Sequence, residues 1–347
     1  MDIRERIESF STLGAILRDS LEGKQTKYSE RLHHLIETQH LKNAWFTPDN
    51  VRLAIKSIAE QLTNENLTKW TDAYPGLQQS HEPLTVGVIM AGNRPLVGFH
   101  DLLSVLITGN RLMAKPSSKD PDLIRFTGDI LCDINKGFSE KIKFAGDILS
   151  GFDAIIATGS DNTSRYFDYY FGRYPNIIRR NRSSIGILTG NETDMELRDL
   201  GLDVFSYFGL GCRNISKVFV PSGYDLTKMT GQWGNYSGLI NHSKYANNYD
   251  FNKAVYLVNK EKFTDTGFLL VKEDRGLSSP LAVLWFEYYN SPRELTEITG
   301  GLREKIQCIT GKGFIPFGKS QSTALWDYAD GVDTIEFLLK KNSSGIF

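Results

Sequence analysis

Gly87-Val88-Ile89-Met90-Ala91-Gly92-Asn93-Arg94-Pro95 reads as an apolar strand running into a short loop, with proline at a plausible first helical position. In α/β proteins, the loop just past the carboxyl end of a strand is where ligands bind. An asparagine amide placed there either donates to a developing oxyanion or caps the helix that follows. Outward from this stretch, extended and helical patterns alternate. Residues 84–90 are extended, 95–108 helical, 111–115 extended, 121–135 helical, 153–158 extended and 161–171 helical. That alternation indicates a doubly wound α/β sheet. Residues 176–180 and 184–188 continue as strands, and 197–208 as a helix leading to Cys212. From residue 215 onward, extended runs at 268–271, 281–289 and 306–309 define a second α/β domain. Residues 1–70 read as helices, with Ile7, Phe10, Leu13, Ile16 and Leu17 on one packing face and Val51, Ile55, Ile58 and Leu62 on another. Residues 72–83 have the composition of a linker.

The chain of 347 residues is 40% hydrophobic and 23% charged, enough to bury a core across two domains. A net charge of -1 gives no electrostatic footprint for nucleic acid or an anionic membrane. No stretch approaches a membrane span, and residues 1–21 carry charges throughout, unlike a signal peptide. Cys132, Cys212 and Cys308 form no CxxC pair, so a reducing compartment is expected and the cytoplasm is the default. The six histidines show no metal spacing, and no metal is expected.

Three further constellations bear chemistry. Phe208-Gly209-Leu210-Gly211-Cys212-Arg213-Asn214 sets a cysteine among small residues beside a guanidinium, which favours the reactive thiolate; the alternative is a buried structural cysteine. Lys115-Pro116-Ser117-Ser118 ends a short strand with a cation and hydroxyls suited to a ribose or phosphate, or else forms an ordinary turn with Ser118 or Asp120 capping the next helix. Thr158-Gly159-Ser160 ends another strand before a helix amino terminus, a weak dinucleotide signal by itself.

In this order the motifs resemble the aldehyde dehydrogenase superfamily over residues 85 to 220. Within it the chain is similar to the LuxC-type acyl-CoA reductases, partly through Phe317-Gly318-Lys319-Ser320-Gln321 and the run from Leu325 to Asp333. The resemblance implies an aldehyde dehydrogenase-like α/β fold with a Rossmann-like cofactor domain and a second α/β catalytic domain. It implies Cys212 as nucleophile, Asn93 as oxyanion donor, and Lys115, Ser117, Ser118, Thr158, Gly159 and Ser160 on the cofactor. The domains expected are 1–205 for the helical segment and cofactor domain, 206–318 for the catalytic domain, and 319–347 returning to the fold. The activity implied is NADPH-dependent reduction of an acyl thioester to an aldehyde, with NADH as the alternative cofactor and coenzyme A released. The acyl donor is free acyl-CoA or an acyl-protein delivered by a partner synthetase; a catalytically silent binding subunit of the same fold is the rival. A homo-oligomer is expected.

The departures matter equally. Where ordinary members carry a general-base glutamate, Arg179-Arg180-Asn181-Arg182-Ser183-Ser184-Ile185-Gly186-Ile187-Leu188 has no acid. Those arginines meet phosphates or form a solvated edge. The ribose-binding acid of the superfamily is replaced within Gly276-Leu277-Ser278-Ser279-Pro280. The aromatics Tyr166, Phe167, Tyr169, Tyr170 and Phe171, with Trp326 and Tyr328, are expected in the core, the alternative being an acyl tunnel; Cys132 and Cys308 are expected in the core.

Overall fold

A computed structural model describes residues 1–146, 148–159 and 161–344, which form two compact units. One comprises Met1–Arg180 together with the chain from Thr323 onward; the other is Asn181–Ser322.

The first unit opens with four helices, α1 (Ile3–Leu21), α2 (Ser29–Lys42), α3 (Pro48–Gln61) and α4 (Asn64–Asp72). Their starts are written in the sequence. Asp2 and Glu5 make a capping box on α1, Thr47 caps α3 with proline at its first turn, and Thr63 caps α4. The expected faces meet in one core that buries Phe10, Leu13, Leu17, Val51, Ile55, Ile58 and Leu62. Then follow β1 (Thr85–Ile89), α5 (Phe99–Ile107), β2 (Arg111–Lys115), α6 (Asp122–Ile134), β3 (Ile142–Phe144), β4 (Ala154–Thr158), α7 (Asp161–Phe171) and β5 (Asn176–Arg179). The sheet order is β3-β2-β1-β4-β5, and every pairing is parallel. Parallel strands covered on both faces need unbroken apolar runs, which is why β1, β2 and β4 are legible in the sequence.

The second unit contains β6 (Ser183–Ile187), α8 (Asp194–Phe205), β7 (Ile215–Pro221), α9 (Leu226–Thr230), α10 (Ser243–Val258), β8 (Thr264–Asp265), β9 (Leu270–Glu273), β10 (Val283–Tyr289), α11 (Pro292–Gly301) and β11 (Ile306–Gly311). Its sheet runs β11-β6-β7-β10-β9-β8, parallel except for β8 against β9. Lys217 is fully buried in β7 against the Glu287 carboxylate, with its ammonium 4.8 Å from the Phe219 ring centroid. The division between units falls after residue 180, whereas the sequence reading drew it after 205. The physical reason is that β6 pairs with β7 and β11. The returning segment starts at 323 rather than 319, because Gly318 and Ser320 donate their N–H groups to Asp203 of α8.

After Ser322 the chain re-enters the first unit and ends its described course in α12 (Thr334–Ser344). Trp70 Nε1 donates to the Tyr328 hydroxyl at 2.8 Å, and Tyr74 links that hydroxyl, at 2.8 Å, to the Asp333 carboxylate at 2.6 Å. Ile335 and Leu338 complete the core.

Several expectations change. The helix after Asn-Arg-Pro starts at Phe99, not at 95, because Leu96 adopts a left-handed backbone at φ 59°. The helix toward Cys212 stops at Phe205. Tyr166, Tyr169 and Tyr170 are exposed on α7 rather than in the core. Trp326 is partly exposed with the Lys69 ammonium 4.4 Å from its ring, and Cys132 is half-buried, whereas Tyr328 and Cys308 are buried. Arg179 is neither a solvated edge nor available to phosphate. It is buried, donating to Asp101 at 2.6 Å and to Thr334 at 3.1 Å. Arg180 forms a surface pair with Asp168.

Removing one member of a buried pair strands the other. Arg179→Met is expected to cost about 3–5 kcal/mol in urea unfolding, and the Asp101→Leu/Arg179→Met double variant to recover most of that loss.

Candidate active site

In the first unit the sheet order reverses between β1 and β4, the switch point at which open α/β sheets bind ligands past the strand ends. Three loops gather there. Ile89 pairs with Lys115 on one side and Ala157 on the other, so Lys115 and Thr158 end their strands, and Asn93 and Gly159 follow theirs, at the same edge. The Asn93 and Lys115 loops nest: a Cβ on Gly92 would lie 2.5 Å from the Ser117 Oγ, so only glycine permits this approach. Asn93 and Ser118 are exposed, while Lys115, Ser117, Thr158 and Gly159 are half-buried. Ser160 lies outside the described residues. Asn93 is not the helix cap, since that position is Gly98, which makes no side-chain cap bond.

Asp120 fixes the shape of the Asn93 loop. Its carboxylate, from the start of α6, accepts the N–H of left-handed Leu96 at 2.7 Å. Burial pushes the Asp120 pKa up to about 6, against the pull of the Leu96 and Leu123 amides. The folded chain therefore binds more protons than the unfolded one between pH 4 and 6.

In the second unit, Cys212 is exposed on the loop that enters β7. Its approach is strained: Tyr207 and Phe208 are left-handed at φ 52° and 59°, followed by Gly209 at 79°. Bulky residues hold such angles only when the surroundings over-determine them. Asn214 does so. Its buried amide donates to the Ser206 carbonyl at 2.8 Å and the Asp203 carbonyl at 3.0 Å, while its Oδ1 accepts from Gly211 N–H at 2.8 Å. Phe208 packs on His242, with ring centroids 4.4 Å apart.

The carbonyl of Cys212 is held from the other side. Ser184 Oγ donates to it at 2.9 Å, lies 3.0 Å from the Cys308 Sγ, and accepts the Cys308 N–H at 3.1 Å. Ser184 sits where the registers of β6 with β7 and of β6 with β11 both shift, so its hydroxyl takes over pairing that the ladders release. Burial pushes the Cys308 thiol up, opposed by the Ser184 hydrogen bond and the Arg213 charge. Arg213, which the sequence reading aimed at the Cys212 thiol, is buried and donates to the Ser320 carbonyl at 3.4 Å. Asp203 completes the frame: its carboxylate takes the Gly318 and Ser320 amides, pinning the Phe317–Gln321 motif beside the cysteine loop.

Cys212 stands out in the sequence, whereas its supports Ser184, Asp203 and Asn214 do not. Asn214 stood in the quoted heptad; nothing in spacing reveals that its partners are main-chain atoms.

Solved structures that this chain resembles include aldehyde dehydrogenases. Aldehyde dehydrogenase 21 of Physcomitrella patens in complex with succinate matches at a TM-score of 0.68 and 13% identity, over 99% of this chain and 85% of that one. The Mycobacterium tuberculosis aldehyde dehydrogenase complexed with NAD+ gives 0.67 and 12%, over 98% and 84%. The NAD+ complex of a Bacillus cereus aldehyde dehydrogenase gives 0.62 and 15%, over 89% and 72%. The chain has the aldehyde dehydrogenase fold. No protein-family model and no curated protein matches it. Among the described residues no helix is long and apolar enough to cross a membrane.

Two outcomes are expected. Stability in urea should fall by on the order of 2–3 kcal/mol as pH rises through the window of about 4 to 6, and Asp120→Asn should flatten that slope. Asn214→Ala should cost about 2–3 kcal/mol, and Asn214→Asp should give no rescue because the Ser206 and Asp203 carbonyls need a donor.

Proposed function

We propose that this protein reduces an acyl thioester to an aldehyde with NADPH, through an acyl group carried on Cys212. The observation that carries the reading is what stands beside the nucleophile. In the acid-free segment that replaces the superfamily's general base, Ser184 touches the Cys212 carbonyl and the Cys308 thiol. A hydroxyl and a thiol whose pKa is raised by burial are poor bases for activating water. An acyl-cysteine here is therefore kept for a better acceptor than water.

The Cys212 thiolate attacks the thioester carbonyl; the Cys212 N–H receives the oxyanion, and the Asn93 amide is the second donor that the resemblance implies. The carbon–sulfur bond to coenzyme A breaks, and its thiolate leaves with the electron pair, needing little protonation. When bound, reduced nicotinamide supplies the hydride that converts the acyl-cysteine to a thiohemiacetal anion. That anion collapses, the Cys212 carbon–sulfur bond breaks, and aldehyde leaves with the thiolate restored.

The residues at the switch point fit the cofactor: Lys115 and the half-buried Ser117 hydroxyl end β2, and the Gly92 nest brings the Asn93 loop against them. Ser118 is exposed, small and uncharged, which suits a 2′-phosphate that an acid would repel.

Intact-mass measurement after incubation with thioesters from acetyl-CoA to palmitoyl-CoA is expected to show an acyl adduct on the wild type and none on a folded Cys212→Ala variant. An adduct-free wild type sinks the reading. In the oxidative direction, turnover should be slow until a thiol is added and should then yield the thioester; rapid release of carboxylic acid without thiol would show that another residue supplies the base. Ser118→Glu should weaken NADPH far more than NADH in paired titrations; an unchanged ratio removes Ser118 from phosphate recognition.

A further inference from the structure

The amino edge of the first sheet, at the opposite ends of the strands from Lys115 and Asn93, borders a half-open cavity of about 1040 Å³. It is lined by the residues that lead into the strands, Pro83 before β1, Gly109 before β2 and Lys141 before β3, together with Arg6 of α1 and His81. β2 alone is five residues long, so roughly 15 Å separate this edge from the switch point.

Two cations converge on one turn. Arg6 is only 5% exposed and crosses Gly109 so closely that a Cβ there would lie 2.0 Å from its Nη1. Lys141 Nζ donates to the Gly109 carbonyl. Gly109 has φ 85°, a conformation that turns its carbonyl to this task and that other residues resist. Among the described residues neither Arg6 nor Lys141 has a carboxylate within ion-pair distance, and the buried Arg6 Nε and His81 Nε2 have no hydrogen-bond partner. Burial pushes both cations down, and Arg6 and Arg111 push Lys141 further.

The acids that line the cavity, Asp2, Glu8 and Asp72, stand exposed. Asp2 is occupied by the α1 cap, and its field, with that of Glu5, reaches Arg6 without a direct pair. A guanidinium 5% exposed and a neighbouring ammonium, with no carboxylate at either, cost free energy that an anion offsets. Three donors approaching from different elements suit a tetrahedral anion with several acceptor oxygens better than a planar carboxylate.

We propose that this cavity binds a small phosphate-bearing metabolite, with the phosphate received at the Gly109 turn by Arg6, Lys141 and His81. The volume exceeds what a phosphate fills and leaves room for an organic remainder against Leu77 and Thr68.

The test is calorimetric titration of the intact protein with inorganic phosphate, at constant ionic strength set with sodium chloride. Lys141→Gln is the primary variant because its half-exposed side chain leaves the core untouched; Arg6→Gln and His81→Ala follow, each checked for a cooperative melt. Lys115→Gln controls for phosphate taken up at the cofactor edge. Saturable binding that is equal in the wild type and Lys115→Gln, and about tenfold or more weaker in Lys141→Gln, is the expected result. Absence of saturable binding overturns the proposal. So does affinity that is unchanged in Lys141→Gln, or loss confined to Lys115→Gln.

Discussion

One buried amide determines the geometry of the loop that carries Cys212, the proposed nucleophile. Asn214 ties the last turn of α8, the left-handed aromatic pair and the glycine before Cys212 into a single knot. Without it, Tyr207 and Phe208 would relax toward ordinary backbone angles and Cys212 would shift with them. The knot has a second layer, because Asp203, whose carbonyl Asn214 reads, uses its carboxylate to hold the Gly318–Ser320 turn. Burial raises the Asp203 pKa, so this layer is built from a charge kept at some expense in a low-dielectric place. An exposed thiol on a rigid base is the arrangement that covalent catalysis asks for: the reacting atom reaches substrate, and nothing beneath it moves.

The first unit applies the same logic with different parts. A buried carboxylate, Asp120, holds a left-handed leucine, and a glycine lets two loops share space that side chains would otherwise fill. In both units the strained residues, Leu96 on one side and Tyr207 and Phe208 on the other, stand a few positions before or after the residues proposed for chemistry. Strain that polar anchors over-determine is a common way of presenting a side chain with little entropy left to lose.

What the sequence disclosed follows from what each element depends on. β1, β2 and β4 depend on burial of both faces and are visible as apolar runs; β3, two half-buried residues flanking an exposed lysine, leaves no such trace. α10 escaped notice because its buried side chains are Tyr245, Tyr249, Asn252 and Tyr256, whose hydroxyls and amide blur an apolar stripe. The small residues around Cys212 and the acid-free segment upstream of it stand out in the sequence itself, and the roles given to them remain the proposal. The contacts of Ser184 and Asn214 do not stand out, because both act on carbonyls contributed by residues that only the fold brings near. Arg179 misled for a related reason: a run of arginines looks solvent-facing until one of them finds Asp101, 78 positions earlier.

The return of the chain after Ser322 makes the first unit discontinuous, with the second inserted between its parts. During synthesis the second unit emerges as one uninterrupted length and can close as soon as it is released. The first cannot, since Trp70 waits for Tyr328 across 258 positions and Arg179 waits for Thr334. Until α12 arrives, the apolar surface that will receive Leu325, Ile335 and Leu338 stays open to water. The half that carries the proposed cofactor loops is thus completed after the second unit, and a nascent chain held before α12 exposes a sticky groove of the kind chaperones screen.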